Sequence, residues 1–201
     1  MPKIWLPNPP PGSAICLGFD GSENNDWTAL RGETRAGLQF TPRYGPDRRP
    51  TIWNPDDWGG RIPRGEVHAA ISEVFRTWSV ARMYADPYDW RSEIGDWALE
   101  YGDEHVVEWP TNRVTPMYGA IRRFEIDLKT GRIQQDGCPI AAAHIANCRR
   151  VAKPGDKYVL GKPADHQKID AAITSILAHE AASDAREAGW EDVDSRMFCF
   201  S

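Results

Sequence analysis

Three aspartates stand where acidic chemistry is easiest to assemble. Asp20 closes an apolar run at residues 14–20, Asp86 follows a second at 80–85, and Asp170 lies in the first turn of an apolar-faced helix expected over 168–188. In α/β sheets, ligands gather outside the carboxyl ends of strands, near a change in strand order. If the first and fourth strands are neighbours, Asp20 and Asp86 meet at one edge and the last helix can present Asp170 across from them. Three converging carboxylates repel one another strongly unless a cation neutralises them. Hard oxygen ligands with open positions suit Mg2+ or Mn2+. Two such ions roughly 3.5–4 Å apart can activate a water and stabilise a leaving oxygen in phosphodiester cleavage. The same residues have plainer uses. An aspartate after a strand is a common turn former, and one in a helix's first turn complements the macrodipole. Spacing alone leaves both readings open.

The elements that must position these residues follow from periodicity. Residues 14–20, 26–31 and 37–42 read as an antiparallel meander with a glycine-containing turn at each corner. Residues 43–63, rich in proline, glycine and tryptophan, read as a long irregular loop. From Arg64 the period changes to about 3.6, with Val67, Ile71, Val74, Phe75 and Trp78 on one face. A short central strand at 80–85 is followed by a helix at 91–101, faced by Ile94, Trp97, Ala98 and Tyr101. Another strand at 105–109 leads into a helix at 115–128, which Gly131 ends. A helix is expected over 140–151, then a lysine- and glycine-bearing connection over 152–167, then the last helix with Ile169, Ile173, Ile176 and Leu177. Strands joined by helical crossovers give an α/β fold, a mixed sheet whose later strands are parallel, flanked by helices.

A chain of 201 residues suits one substantial domain. Hydrophobic residues at 41% and charged residues at 26% are the balance of a globular protein rather than a disordered one. No stretch approaches the ~20 apolar residues of a membrane span. Residues 1–13 contain five prolines and read as an arm or linker, too proline-rich for a signal peptide; residues 14–201 form the domain and end in an acidic tail. Cys16, Cys138, Cys148 and Cys199 form no CxxC pair, so reduced thiols are expected and zinc is not. The net charge of −5 excludes a generally basic nucleic-acid coat, but not a nuclease whose carboxylates are themselves acidic. The charge is uneven. Residues 148–168 set Arg149, Arg150, Lys153, Lys157, Lys162 and Lys168 against two aspartates, whereas 180–201 carry six acids and two arginines. Such a basic segment just before Asp170 suits contact with duplex phosphates, read by backbone and shape rather than by sequence.

Motifs in the same order carry a resemblance. Phe19-Asp20-Gly21-Ser22 with Asp26-Trp27-Thr28-Ala29, then Ala85-Asp86-Pro87-Tyr88, then Lys168-Ile169-Asp170-Ala171-Ala172, resemble the nuclease domain of large terminase subunits from tailed bacteriophages. The segment Ala143-His144-Ile145-Ala146-Asn147, with Arg149 and Arg150 downstream, is similar to the stretch before that family's last motif. The resemblance covers about residues 14–188 and implies a ribonuclease H-like fold, in agreement with the element order. It implies that Asp20, Asp86 and Asp170 are the catalytic metal ligands, holding two Mg2+ or Mn2+ ions. Asp26, His166 and Lys168 are candidate supporting residues. The implied activity is endonucleolytic cleavage of concatemeric double-stranded phage DNA during genome packaging, in the host cytoplasm. The implied partners are an ATPase motor, a small terminase subunit and a portal. The motor is expected elsewhere, because the sequence holds no GxxxxGK[ST] phosphate loop and Gly161-Lys162 runs into a proline. A junction resolvase, an RNA–DNA hybrid nuclease and an inactive DNA-binding or docking module are the competing readings. His68, His105, His144 and His179 show no partner arrangement, and core or surface roles are expected for them.

Overall fold

A computed structural model describes residues 4–23 and 26–190. The acidic stretch 191–201, with Cys199, lies outside the described residues, as do Asn24 and Asn25. Strands β1 (Ala14–Asp20), β2 (Thr28–Thr34) and β3 (Leu38–Phe40) make the expected meander. The expected loop at 43–63 is more structured than its composition suggests. It contains β4 (Arg43–Tyr44) paired with β5 (Arg49–Pro50), β6 (Ile52–Trp53) and a 3-10 turn at Pro55–Trp58 capped by Asn54. Strands of two residues are too short to show a period, and Pro50 masks one of them.

Helix α1 (Arg64–Thr77), β7 (Ser79–Ala85), α2 (Arg91–Tyr101), β8 (Val106–Glu108) and α3 (Val114–Thr130) follow the expected order. After β9 (Gln134–Gln135) comes α4 (Pro139–Asn147). Here the sequence reading is corrected: the helix expected to reach Val151 stops at Asn147. Residues Arg149–Lys153 form β10, which pairs antiparallel with β11 (Lys157–Gly161). Pro154, Gly155 and Asp156 make the turn, with Gly155 and Asp156 both left-handed. The last helix, α5, spans Asp170–Glu187.

The main sheet has the order β8-β7-β1-β2-β3-β9, with β6 beside β2. Strands β1, β7 and β8 are mutually parallel neighbours, and β2 and β3 are antiparallel to what precedes them. The architecture is therefore the mixed, helix-flanked sheet expected. Both faces of β1 are buried, which is why it reads as a continuous apolar run. Ile15, Leu17 and Phe19 pack with Val67, Ile71 and Val74 of α1 and with Ile94 and Trp97 of α2. On the other face Cys16 packs with Leu177, Ala181 and Ala182 of α5. Burial pushes the Cys16 thiol up to about 12, so it stays protonated and inert.

Polar links tie α5 and the described part of the N-terminal arm to this frame. Arg31, fully buried on β2, faces Asp136 at 3.3 Å and donates to Ser175 of α5 at 3.2 Å and to Gln135 at 2.7 Å. Asp136 also accepts the Trp5 indole N–H at 3.0 Å, and its carbonyl accepts the Leu6 N–H. The outer face of α2 carries a local weakness instead. Gly95 lies mid-helix, exposed, with nothing near the place a Cβ would occupy. Gly95→Ala is expected to raise stability by about 0.5–1 kcal/mol, read as a higher urea midpoint with an unchanged m-value.

Candidate active site

Parallel pairing of β1 with β7 aligns Phe19 with Ala85, so Asp20 and Asp86 leave adjacent strands at the same level. The Asp86 N–H donates to the Phe19 carbonyl at 3.0 Å and locks that register. Gly21 is required next, because a Cβ there would lie 2.4 Å from the Trp90 ring, which packs edge-on to Phe19. Helix α5 crosses β1 and β2 and starts with Asp170 at the same sheet edge. On the far side of Asp20, the antiparallel pairing of Asp20 with Ala29 brings in Asp26 at the head of β2. A cavity of about 500 Å³ opens here, and Asp20, Asp26, Asp170, Thr111, Lys153 and Lys162 line it. A second cavity of about 490 Å³ lies by the β2–β3 turn. Its Arg123 and Arg186 face Glu180, Asp184, Glu187 and Glu33, so the acids there stand against guanidinium groups.

Asp20, Asp26 and Asp170 line the cavity, Asp86 stands beside Asp20 outside that lining, and the four carboxylates are in different states. Burial, then the charges of Asp170, Asp86 and Asp26, push the Asp20 carboxyl well above its ordinary value. Burial likewise pushes Asp170 up to about 6, and its Oδ2 is buried without a hydrogen-bond partner. Asp86, only 8% exposed, is held at both oxygens. The Thr111 hydroxyl donates to its Oδ2, and the Tyr88 and Thr111 N–H groups approach Oδ1 at 3.4 and 3.5 Å. Asp26 differs again. Burial works to raise its pKa, but hydrogen bonds from Lys162 at 2.6 Å and Lys168 at 2.8 Å outweigh it and hold the carboxylate below its usual range.

This donor set fits hard divalent cations. It is all oxygen, the charges of its other members help to raise the Asp20 pKa, and one buried oxygen has no proton donor to face. Among the described residues, no three His, Cys, Asp or Glu side chains already stand as a ready-made cage.

The remaining sequence candidates divide. Lys153 and Lys162 line the cavity, and Lys168 reaches Asp26. Arg150 turns to α3, where it donates to Glu125 and lies 4.4 Å over the Tyr158 ring. Arg149 donates to the Ala146 and Cys148 carbonyls at the end of α4, and Lys157 donates to the Thr115 hydroxyl at 2.8 Å. His166 is exposed and does not line the cavity. Thr111 had no signal in the sequence, since it sits in an unpatterned loop. His144, for which a core or surface role is expected, is buried and finds its partner in a backbone N–H 27 positions away. Burial and the charge of Lys168 push the His144 imidazole down to about 4.

No family model matches the chain. It is 33% identical over 185 residues to the Gene 13 protein of Mycobacterium phage D29, across 86% of this chain and 30% of that protein. The chain therefore spans about 30% of the length of that curated relative. Among solved structures, the HK97 bacteriophage large terminase superposes with a TM-score of 0.64 at 19% identity, covering 89% of this chain and 40% of that one. The large terminase nuclease from thermophilic phage G20c gives 0.63 at 12% identity, covering 85% of each chain. That nuclease has also been solved with bound magnesium and with bound cobalt. The chain thus has the ribonuclease H-like fold of large terminase nuclease domains.

Proposed function

We propose that the chain is the nuclease portion of a phage large terminase, a divalent-metal-dependent endonuclease that cuts concatemeric double-stranded DNA during genome packaging. The observation that carries this reading is the meeting of Asp20, Asp86 and Asp170 at one sheet edge, where the charges of Asp170 and Asp86 both burden Asp20. In this reading Asp20, Asp86 and Asp170 would hold two Mg2+ or Mn2+ ions, the metal-bound G20c structures adding support. Bound there, such ions would lower the pKa of an attacking water and stabilise the departing 3′ oxygen.

The protein's own groups do the rest. Thr111 orients Asp86. Lys153 and Lys162 place ammonium groups at the cavity wall, where they attract the phosphate backbone, and Lys168 supports them through Asp26. Arg149 and Lys157 extend the positive track along the β10–β11 hairpin. The local positive charge makes the net −5 no obstacle to DNA binding, which should weaken as salt rises. An ATPase motor, in the same longer protein or on another chain, a small subunit and a portal complete the proposed context, in the host cytoplasm. Among the described residues no helix is long and apolar enough to cross a membrane.

Titration of the metal-free protein with Mn2+ tests the reading. With a pKa of about 6, Asp170 contributes stability that is fully present below its ordinary value of 3.8. That contribution is lost as pH rises through 6, a loss of about 3 kcal/mol at neutral pH. Saturating Mn2+ at pH 7.5 is expected to return about 3 kcal/mol and raise the melting temperature by about 6–12 °C. It should also switch on cleavage of linear duplex in preference to a hybrid or a four-way junction. Cleavage that persists in EDTA, or a melting temperature indifferent to Mn2+, overturns the proposal.

A further inference from the structure

The Ala143–Asn147 stretch singled out in the sequence contributes nothing to the cavity lining, yet its polar side chains do not face solvent idly. His144 is 4% exposed on α4, its ring 5.0 Å from that of Trp27. Its Nδ1 accepts the backbone N–H of Ala171 at 3.1 Å. Three residues along the helix, the Asn147 amide donates to the carbonyl of Lys168 at 2.9 Å. These two contacts fall on either side of Asp170.

The first turn of α5 needs such help. A helix begins with N–H groups that have no partner within the helix, and a Ser, Thr, Asp or Asn at the N-cap usually accepts one of them. The N-cap of α5 is Ile169, whose side chain cannot accept, and no side-chain cap hydrogen bond is made from that position. The N–H that a local cap would take is the one His144 takes from another helix. An Nδ1 that accepts carries no proton, so the imidazole is the neutral tautomer protonated at Nε2.

We propose that His144 and Asn147 are positioning residues for Asp170: α4 grips the chain two residues before and one residue after it, and so fixes where its carboxylate enters the cavity. The inference rests on the reading of Asp170 as a metal ligand. It explains how an aspartate with an unpartnered Oδ2 is kept in place, since the backbone on both sides is held instead of the carboxylate itself.

Two substitutions separate the acceptor from the volume. His144→Phe keeps a ring without an acceptor, whereas His144→Asn puts an oxygen close to the position of Nδ1. In the full chain, His144→Phe is expected to raise the Mn2+ concentration for half-saturation, read by titration calorimetry on the metal-free protein, by about 10–100-fold and to lower kcat, with the KM for duplex unchanged. His144→Asn should recover most of both. Asn147→Ala should move the same two quantities in the same direction, and serves should the phenylalanine variant not fold. A folded His144→Phe protein with the wild-type Mn2+ midpoint and kcat overturns the proposal, and so does equal loss in the Phe and Asn variants. Asp170→Asn is measured in parallel. Should that variant keep full cleavage and Mn2+ response, it is the assignment of Asp170 that fails rather than the brace.

Discussion

Asp86→Asn is expected to abolish plasmid cleavage in Mn2+, with a loss of at least about 1,000-fold, or about 4 kcal/mol of transition-state stabilisation, and to melt within about 2 °C of the wild type. The separation of activity from stability follows from the contacts of this residue. An amide occupies the same volume, and its NH2 can donate to the Thr111 oxygen, because a threonine hydroxyl accepts as readily as it donates. The amide carbonyl then faces the Tyr88 and Thr111 N–H groups that Oδ1 faces now. What the amide cannot supply is the negative charge that a hard divalent ion requires. Agarose-gel nicking of supercoiled plasmid and a calorimetric melt on the same preparation check the two halves. Full cleavage by Asp86→Asn removes the residue from the site, and a collapsed melt leaves the loss of activity explained by folding alone.

The two strand-end aspartates were legible because each follows an apolar run, and apolar runs buried on both faces are central strands. That argument needs no knowledge of what lies between residues 20 and 86. Asp170 was legible only by its company, since a helix-start aspartate is commonplace and nothing in 168–172 says which sheet edge the helix reaches. The β10–β11 hairpin was missed for a definite reason. The apolar pattern from Ile140 runs on through Cys148 and Val151, so periodicity alone continues the helix past its true end. The signal that could have found it is Pro154-Gly155-Asp156, a turn with the strand formers Val151 on one side and Tyr158 and Val159 on the other. Charge counting was a coarser guide. It gathered Arg149 and Arg150 with the lysines, but Arg150 turns to Glu125 while Lys153 and Lys162 line the cavity. Pairings such as Lys162 with Asp26, 136 positions apart, exist only once the chain after the hairpin folds against the segment between β1 and β2.

Gly18→Ala should do the opposite of Gly95→Ala: lower stability by about 3 kcal/mol or more and depress the melting temperature by roughly 6–12 °C. Nothing in the backbone angles requires glycine here, since Gly18 is not among the left-handed glycines. The constraint is proximity. A Cβ at Gly18 would lie 2.2 Å from the Thr174 carbonyl oxygen, 2.5 Å from the Ala178 nitrogen and 2.8 Å from the Leu177 Cβ. Two of those three are backbone of α5, which cannot rotate aside as a side chain can. Relief requires the helix to lift from β1 by more than ~1 Å before carbon–oxygen contacts become ordinary. Ala171, Thr174, Ser175 and Ala178, all buried, show how closely the remainder of that helix is laid on the sheet. Lifting α5 also strains the Arg31–Ser175 hydrogen bond and carries Asp170 away from Asp20. The variant should therefore lose about 100-fold in kcat even at temperatures where it remains folded, since displacements near 1 Å cost that much. A stable but inactive Gly18→Ala protein would mean that the close approach serves the carboxylate geometry alone. One with native melt and native cleavage would mean that β1 and α5 do not meet here, and with that contact goes the reason Asp20 and Asp170 share an edge.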